Sequence, residues 1–152
     1  MKNKYDIVVA SGGFDHLTAA HVDLFRAAKE LGEKLIVGMN SDDWLTRKKG
    51  KPFVESRDNR MEVVRAIKYV DHIMNFDDSD NTAVDLLYRV RMLYPECHIC
   101  FVNGGDRSKD ATPEDTYCAE NGISTEYGVG GDKKRFSSSW DQNAWLEFNK
   151  EN

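Results

Sequence analysis

Apolar residues along this chain fall into two patterns: short continuous runs, and longer stretches in which apolar residues recur every three or four positions. A continuous run is typical of a strand that is covered on both faces, and the wider spacing is typical of a helix with one buried face. The pattern predicts five strands, at residues 5–10, 34–39, 70–75, 98–102 and 123–127.

Helices are predicted between these strands, so that strand and helix alternate along the chain. They span residues 19–31, a short segment around Trp44 and Leu45, and residues 58–68, 81–94 and 113–121, with a last helix capped by Ser137 or Ser138 and running to Phe148. Gly32 is expected to end the first helix as a C′ glycine. Strand–helix units with short connections predict an α/β fold: a Rossmann-like, doubly wound, five-stranded parallel sheet in a single domain over residues 1–152.

The segment after the first strand has the residues of an anion site. Ligands of doubly wound sheets bind beyond the carboxyl ends of the strands, where the strand order reverses. Gly12 and Gly13 carry no Cβ and let the backbone come close to a ligand. Thr18 is a suitable N-cap, which puts His21 at the third helical position. Free N–H groups and the helix dipole attract phosphate at that turn, so the sequence predicts a phosphate site.

The composition is that of an ordered globular protein. The chain has 152 residues, 40% of them hydrophobic and 31% charged, which suits one domain with a single core. The net charge of −5 argues against a nucleic-acid partner. The sequence has neither an apolar run near the ~20 residues of a membrane span nor a signal-peptide pattern. We therefore expect no membrane partner and a cytoplasmic location.

The cysteines do not indicate a disulfide framework, because their number, three, is odd. The run Cys97-His98-Ile99-Cys100 resembles a metal knuckle, but it lies in a predicted strand. Alternation along a strand would send Cys97 and Cys100 to opposite faces. A buried structural role is therefore favoured for both, and no protein metal site is predicted.

The turn after the first strand also carries a family resemblance. Gly12-Gly13-Phe14-Asp15, followed by Thr18-Ala19-Ala20-His21, resembles the signature of the cytidylyltransferase-like nucleotidyltransferases, a G-x-F-D turn leading to an H/T-x-G-H element. Thr18 occupies the first slot of that element, where the small-alcohol cytidylyltransferases have histidine and other branches have threonine. Ala20 stands where the family usually has glycine, and His21 matches the final histidine.

Similarity continues over nearly the whole chain. Residues 37–42 and 47–52 are similar to the V-G-x-N-S-D and R-x-K-G-x-x-R-P segments of the heptose-phosphate adenylyltransferases. Residues 102–106 are similar to their V-K-G-G-D segment, with Asn103 in place of lysine, and residues 137–139 stand where they have S-T-S or S-T-T. The glycerol-phosphate and ethanolamine-phosphate cytidylyltransferases share this skeleton, so the resemblance leaves the base open.

The resemblance implies an enzyme that transfers a nucleotidyl group from a nucleoside triphosphate, ATP or CTP, to a small phosphorylated sugar or alcohol, with release of pyrophosphate. ATP with a sugar 1-phosphate is the preferred pair. CTP with glycerol 3-phosphate or ethanolamine phosphate is the alternative. Mg²⁺ is expected to accompany the triphosphate without a dedicated protein cage. The resemblance also implies a homodimer.

The same resemblance implies roles for individual residues. The expected catalytic residues are His21, Thr18, Lys49 and Arg135, with His21 stabilising the transition state. Further contacts to the nucleotide are expected from Gly12, Gly13, Phe14, Asp15, Gly105, Asp106, Ser137 and Ser138. The substrate phosphate is expected to contact Lys49, Lys51 and Arg60. Both lysines belong to the polar stretch 47–52, which is predicted to be a mobile loop.

Simpler interpretations exist for most of these residues. His21 could be a surface histidine, Thr18 and the serines could be helix caps only, and Arg60 could form a surface ion pair. Asp106 would also fit a turn without a ligand. Two other classes of protein stay open. One is a nucleotide-binding module without turnover, which Thr18 and Ala20 favour. The other is a Rossmann-type dehydrogenase or flavodoxin-like protein, against which the missing G-x-G-x-x-G fingerprint counts.

Overall fold

Strands and helices alternate along the chain as the sequence predicts. The computed structural model describes residues 4–50, 52, 55–104 and 112–131. Its strands are β1 (Tyr5–Gly12), β2 (Gly32–Met39), β3 (His72–Asn75), β4 (Ile99–Gly104) and β5 (Ser124–Val129). Its helices are α1 (Ala19–Leu31), α2 (Asp42–Lys49), α3 (Arg57–Arg65), α4 (Val84–Leu93) and α5 (Pro113–Glu120).

The strands of the described residues form one parallel sheet in the order β3-β2-β1-β4-β5. From β1 the chain moves outward to β2 and β3 and then returns to β4 on the other side of β1. The strand order therefore reverses between β1 and β4, which is where ligands of such sheets bind. The N–H of Asn40 donates to the carbonyl of Gly12 at 3.0 Å, so the turns that follow β1 and β2 lie side by side.

Each face of the sheet carries its own hydrophobic core. Val8 belongs to a core that includes Phe25 of α1 and Val64 of α3. Val9, the next residue, belongs to the opposite core, which includes Leu86 of α4. Both valines are fully buried, because helices cover both faces of β1. The continuous apolar run at the start of the chain is thereby explained, and the predicted doubly wound fold is confirmed.

Gly32 ends α1, but not as the predicted C′ glycine. It has φ −150° and ψ 174°, an extended conformation, and it is already the first residue of β2. A Cβ on Gly32 would lie 2.6 Å from Cγ2 of Val8 and 3.0 Å from the carbonyl oxygen of Tyr5. The position therefore needs glycine because β1 passes so closely.

Residues 47–49 form the last turn of α2, and the prediction of a mobile loop there is wrong. The Ser41 side chain accepts the Trp44 N–H at 3.1 Å and caps the amino end of this helix. Its first turn holds acidic residues and its last turn holds Arg47, Lys48 and Lys49, which complements the helix dipole. Gly50 then ends the helix with φ 67°.

Other boundaries differ from the prediction by a few residues. β3 begins at His72 and not at residue 70, and α4 begins at Val84 because Asn81 has a φ of 65°, which a helix does not accommodate. The predicted last helix, from Ser137 or Ser138 to Phe148, lies outside the described residues. Among the helices of the described part of the chain, none is both long and apolar enough to cross a membrane.

Cys97 and Cys100 pack against opposite cores, as predicted, but Cys97 precedes β4 in a bend and is only half-buried, so strand alternation does not account for its position. Cys100 is fully buried in β4, and burial raises the pKa of its thiol to about 12. The thiol is therefore protonated and unreactive at neutral pH. Across residues 4–50, 52, 55–104 and 112–131, no three side chains of His, Cys, Asp or Glu come close enough together to hold a metal ion.

Candidate functional site

The turn between β1 and α1 has a strained backbone. Phe14 has a φ of 52° and His16 a φ of 92°, in the left-handed region that residues with a Cβ rarely adopt. Such conformations cost on the order of 1–3 kcal/mol each and cluster at ligand-binding and catalytic sites. The Phe14 ring is buried, with its centroid 5.2 Å from that of Phe25, so core packing holds the turn in this conformation.

Gly13 allows a neighbouring helix to pack against this turn. A Cβ on Gly13 would lie 2.4 Å from Cδ2 of Leu45 in α2, a distance that real Cβ atoms essentially never show. From the sequence, the glycines were expected to admit a ligand to the backbone. At Gly13 the close neighbour in the structure is α2, which therefore forms one wall of the turn.

His21 lies in the first turn of α1, with its ring held by the helix cap. Thr18 is the N-cap, and its backbone N–H donates to Nδ1 of His21 at 3.0 Å. This contact is the histidine form of a capping box, in which the third helical residue reaches back to the cap. Because Nδ1 accepts a hydrogen bond, the neutral ring carries its own hydrogen on Nε2.

The environment of His21 favours the neutral ring. Burial lowers the pKa of His21 from its ordinary value of 6.5, and the charge of His16 adds to this effect. The Phe14 ring meets the imidazole edge-on, with centroids 5.3 Å apart. At neutral pH, His21 is therefore an uncharged imidazole whose Nε2–H is a hydrogen-bond donor at the amino end of a helix.

Asp15 links the turn to two later segments. Its carboxylate is buried, and it accepts hydrogen bonds from Nζ of Lys49 at 3.0 Å and from the backbone N–H of Glu55 at 2.8 Å. The Lys49 side chain is only 16% exposed. Asp15 therefore braces the turn, and the structure brings Lys49 to the same turn as His21.

Arg60 is a buried clamp behind the turns after β1 and β2. Its side chain is 1% exposed. Nη1 donates to the carbonyl of Gly13 at 2.6 Å and to that of Asn40 at 3.0 Å. Nε donates to the carbonyl of Glu55 at 3.0 Å, and Nη2 pairs with Asp42 at 2.7 Å.

These contacts replace the role that the sequence suggested for Arg60. The sequence suggested that Arg60 contacts the substrate phosphate or forms a surface ion pair. Its side chain is instead buried and donates to three main-chain carbonyls. A guanidinium has five donors, and four hydrogen bonds already engage all three of its nitrogens. We therefore assign Arg60 to holding the turns in place.

Asp78 is a buried carboxylate that the sequence analysis missed. It follows β3 and accepts hydrogen bonds from Nδ2 of Asn40 at 3.0 Å and from both the backbone N–H and the hydroxyl of Ser41, each at 2.7 Å. Burial would raise the pKa of Asp78, but these hydrogen bonds outweigh burial and hold the pKa below its ordinary value. The sequence predicts a turn at Asn40 and Ser41. No sequence spacing indicates that this turn binds Asp78, which lies 37 residues after Ser41.

The structure brings together the predicted residues Gly12, Gly13, Phe14, Asp15, Thr18, His21 and Lys49 around the β1–α1 turn. At the end of the neighbouring strand β4, Asn103 is buried and Gly104 completes the strand. The remaining predicted site residues lie outside the described residues: Lys51, Gly105, Asp106, Arg135, Ser137 and Ser138. Their roles stay predictions.

A sequence profile of the cytidylyltransferase-like proteins matches residues 9–131, a stretch that begins within β1 and ends just after β5. The chain belongs to the cytidylyltransferase-like family. The resemblance seen in the motifs is confirmed, and the alternative of an unrelated dehydrogenase or flavodoxin-like protein is set aside.

Two curated relatives of this family member are similar over part of their length. The FAD synthase of Pyrococcus horikoshii is 37% identical over 84 residues, which are 55% of this chain and 56% of that protein. The bifunctional protein HldE of Campylobacter concisus is 36% identical over 91 residues, which are 59% of this chain and 19% of that protein. The aligned stretches therefore cover about half or less of each relative.

A solved structure shares the fold of this family member. The lipopolysaccharide core biosynthesis protein from Thermoplasma volcanium superposes with a TM-score of 0.62 at 22% identity, over 82% of this chain and 94% of that one. At 22% identity, this similarity supports a shared fold and does not extend to function. It agrees with the Rossmann-like sheet described above.

Proposed function

We propose that this protein is a nucleotidyltransferase, in which a phosphate oxygen of a small phosphorylated acceptor attacks the α-phosphorus of a nucleoside triphosphate. The new oxygen–phosphorus bond forms as the bond to the β-phosphate breaks, and pyrophosphate leaves. The observation that carries this proposal is the His21 imidazole, held by the Thr18 N–H at the amino end of α1. An oriented, neutral N–H donor beside a helix terminus suits a phosphate group.

In this mechanism His21 stabilises charge and does not move a proton. The attacking group is a phosphate oxygen that is ionised at neutral pH, so no general base is needed. Negative charge grows on the oxygens around the α-phosphorus, and Nε2–H of His21 donates to it. Removing one such oriented donor typically costs about 3–4 kcal/mol in the barrier. Catalysis then consists mainly of positioning and charge stabilisation.

Lys49 supplies a positive charge at this turn that is partly exposed, unlike that of the buried Arg60. Its ammonium group lies 3.0 Å from the Asp15 carboxylate, and its side chain keeps 16% exposure. We assign Lys49 to the triphosphate or to the acceptor phosphate. Thr18 adds a hydroxyl 3.4 Å from Nδ1 of His21. Lys51, Arg135, Asp106 and the serines at 137 and 138 keep the roles that the family motifs give them.

Magnesium fits this proposal as a companion of the triphosphate. In the described parts of the chain no cluster of three potential ligands exists, and the buried carboxylates Asp15 and Asp78 are engaged by donors. Mg²⁺ is commonly held by substrate phosphates together with one or two carboxylates and water. When bound, it would neutralise charge on the triphosphate oxygens.

ATP with a sugar 1-phosphate is our preferred substrate pair, and CTP with glycerol 3-phosphate or ethanolamine phosphate is the alternative. The Asn40-Ser41-Asp42 match to the heptose-phosphate adenylyltransferases supports the first. FMN is a further acceptor to test, because a 37% identical relative is an FAD synthase. We also propose a homodimer, which light scattering on the full chain would test against the 17.4 kDa monomer.

The test is a pyrophosphate-release assay with Mg²⁺, in which ATP and CTP are each combined with glucose 1-phosphate, glycerol 3-phosphate, ethanolamine phosphate and FMN. We expect release with at least one pair and its loss in His21→Ala. A second candidate is a nucleotide-binding module without turnover, which Ala20 in the usual glycine slot favours. Tight nucleotide binding without release across the panel would favour that module.

A further inference from the structure

His16 has a backbone conformation that suits glycine, although it carries an exposed imidazole. Its φ of 92° lies outside the left-handed helical region, at about +57°, in which most non-glycine residues with positive φ are found. Core packing holds the neighbouring outlier Phe14, whose ring is buried, but the exposed ring of His16 receives no such support. Glycine would adopt this φ at little steric cost. An imidazole at such a position therefore points to a functional role.

The His16 imidazole lies near that of His21. Its charge lowers the pKa of His21, so the two rings are close enough for a direct electrostatic interaction. His16 and Phe14 line the same open cavity of about 590 Å³, and the Phe14 ring meets the His21 ring edge-on with 5.3 Å between centroids. The turn therefore presents a second imidazole to solvent, beside the one held at the amino end of α1.

Two cations at this turn already have partners. Lys49 pairs with Asp15 at 3.0 Å, and Arg60, whose side chain is 1% exposed, donates to main-chain carbonyls. The lowered pKa of His21 leaves that ring uncharged at neutral pH. An exposed imidazole takes up a proton more readily when an anion binds beside it, because the opposite charge favours the charged form. His16 can therefore offer a bound phosphate a charged N–H donor.

We infer that His16 is a second phosphate-binding residue of this site, whose imidazole donates to a phosphate group bound beside His21. The inference rests on the proposed nucleotidyl transfer and adds a residue to its site. The phosphate group belongs either to the triphosphate or to the acceptor, and the kinetics described below distinguish the two. This role explains why the turn carries an imidazole where glycine would be less strained.

Two variants separate the effect of the imidazole from that of the backbone. His16→Gly removes the ring and relieves the strained φ, so its Tm should be higher than that of the wild type by roughly 2–4 °C. His16→Asn also removes the ring and keeps a Cβ, and its Tm should stay close to that of the wild type, because asparagine tolerates positive φ. Weaker phosphate binding in both variants, without a lower Tm, cannot come from a damaged fold.

Calorimetry of the full chain measures binding without turnover. The probes are inorganic pyrophosphate and the Mg²⁺ complex of the α,β-methylene analogue of ATP. We expect both variants to weaken binding of both probes roughly tenfold, the effect of losing one charged hydrogen bond. Asn81→Gly is the control for relief of strain, because Asn81 is exposed and has a φ of 65°. His72→Asn, at an exposed histidine in β3, is the control for loss of an imidazole, and neither control should change the affinities.

Steady-state kinetics with both variants complete the test. Unchanged binding of both probes, together with an unchanged KM for the acceptor, would overturn the assignment. Weaker binding in His16→Gly alone would also overturn it, because a more flexible turn would then be the cause. Unchanged probe binding with a raised KM for the acceptor would assign His16 to the acceptor phosphate.

The same measurements separate this inference from the proposed function. Pyrophosphate binding that depends on His16, without pyrophosphate release from any substrate pair, overturns nucleotidyl transfer and leaves the phosphate contact standing. Turnover with unchanged affinities and KM values in both His16 variants overturns the contact and leaves nucleotidyl transfer standing. A wild-type chain that binds neither probe and releases no pyrophosphate overturns both.

Discussion

His21 differs from an ordinary surface histidine because a main-chain N–H fixes which of its nitrogens carries the proton. A free imidazole exchanges between two tautomers and turns about its side-chain bonds. In this structure the Thr18 N–H occupies Nδ1 at 3.0 Å, and the contact with Phe14 restricts the ring. The Nε2–H donor is therefore oriented before a ligand arrives, which is the condition for effective charge stabilisation.

Replacing His21 with alanine should lower the rate constant for pyrophosphate release about 100- to 1,000-fold, the usual effect of losing one oriented donor in the transition state. The KM for the triphosphate should change much less, because many other groups hold the nucleotide. Steady-state kinetics of the purified variant measure both. His72→Ala, at an exposed histidine in the edge strand β3, is the control. A His21→Ala enzyme with the wild-type rate would remove this residue from the mechanism.

The pKa of His21 should be below its ordinary value of 6.5, because burial and the charge of His16 both disfavour the imidazolium. A folded-state pKa below the unfolded one means that this histidine stabilises the fold above pH ~6.5, and that its contribution is lost as the pH falls through the folded pKa. NMR titration of the ring protons measures the pKa, and the ring nitrogen shifts report the Nε2–H tautomer. A pKa above 6.5, or an Nδ1–H tautomer, would contradict this assignment.

At the scale of elements, α2 is tied to the site at both ends. Ser41 at its amino end donates to Asp78, and Lys49 at its carboxyl end pairs with Asp15. Leu45, between them, packs on Gly13. The helix therefore sets the distance between the turn after β1 and the turn after β2. This arrangement explains why a short, strongly polar segment is helical.

Arg60 should matter more for stability than any exposed arginine of α3. Arg60→Met leaves the carbonyls of Gly13 and Asn40 without their donor and Asp42 without its partner, which should cost about 3–5 kcal/mol of unfolding free energy. Arg65→Met, on the same helix with a 57% exposed side chain, should cost less than about 0.5 kcal/mol. Urea denaturation of both variants measures the difference.

Equal costs for the two variants would mean that Arg60 does not hold the turns. A large cost for Arg60→Met, with activity reduced in the fraction that stays folded, would agree with its assignment to positioning. Arg60→Lys should recover only part of the unfolding free energy that Arg60→Met loses. An ammonium group is a compact point charge, whereas the planar guanidinium spreads its N–H donors over several carbonyls.

Helix caps and apolar spacing in the sequence predicted most helices and strands correctly. Hydrogen bonds between residues far apart in the sequence were not predicted. The bounds of α1 agree with the predicted helix at residues 19–31, because the cap at Thr18 and the apolar spacing are local features. The carboxyl end of α2 was missed because a basic, glycine-containing stretch looks like a loop when tertiary contacts are unknown. The contacts of Arg60 with Gly13 and of Asp78 with Ser41 span 47 and 37 residues, and no spacing rule links such positions.

At the scale of the whole molecule, the order of the strands brings the residues of the candidate site together. The turn after β1 lies between β2 and β4, so residues far apart in the sequence meet at one edge of the sheet. Asp15, Asn40 and Asp78 follow β1, β2 and β3, and Lys49 ends α2, yet hydrogen bonds join them in pairs there. The fold was predictable because alternation fixes a parallel sheet, whereas these pairings depend on how the turns pack.

A nucleotide that binds at this edge should stabilise the whole fold, because only the folded chain brings these turns together. At one hundred times its dissociation constant a ligand adds about 2.7 kcal/mol, which raises the Tm of a domain of this size by roughly 5–10 °C. We expect ATP with Mg²⁺ to give a larger thermal shift than CTP or GTP at the same concentration. Differential scanning fluorimetry measures the shifts, with each nucleotide also tested without Mg²⁺. A larger shift with CTP would reverse the preferred base, and no shift with any nucleotide would contradict a nucleotide site in this crevice.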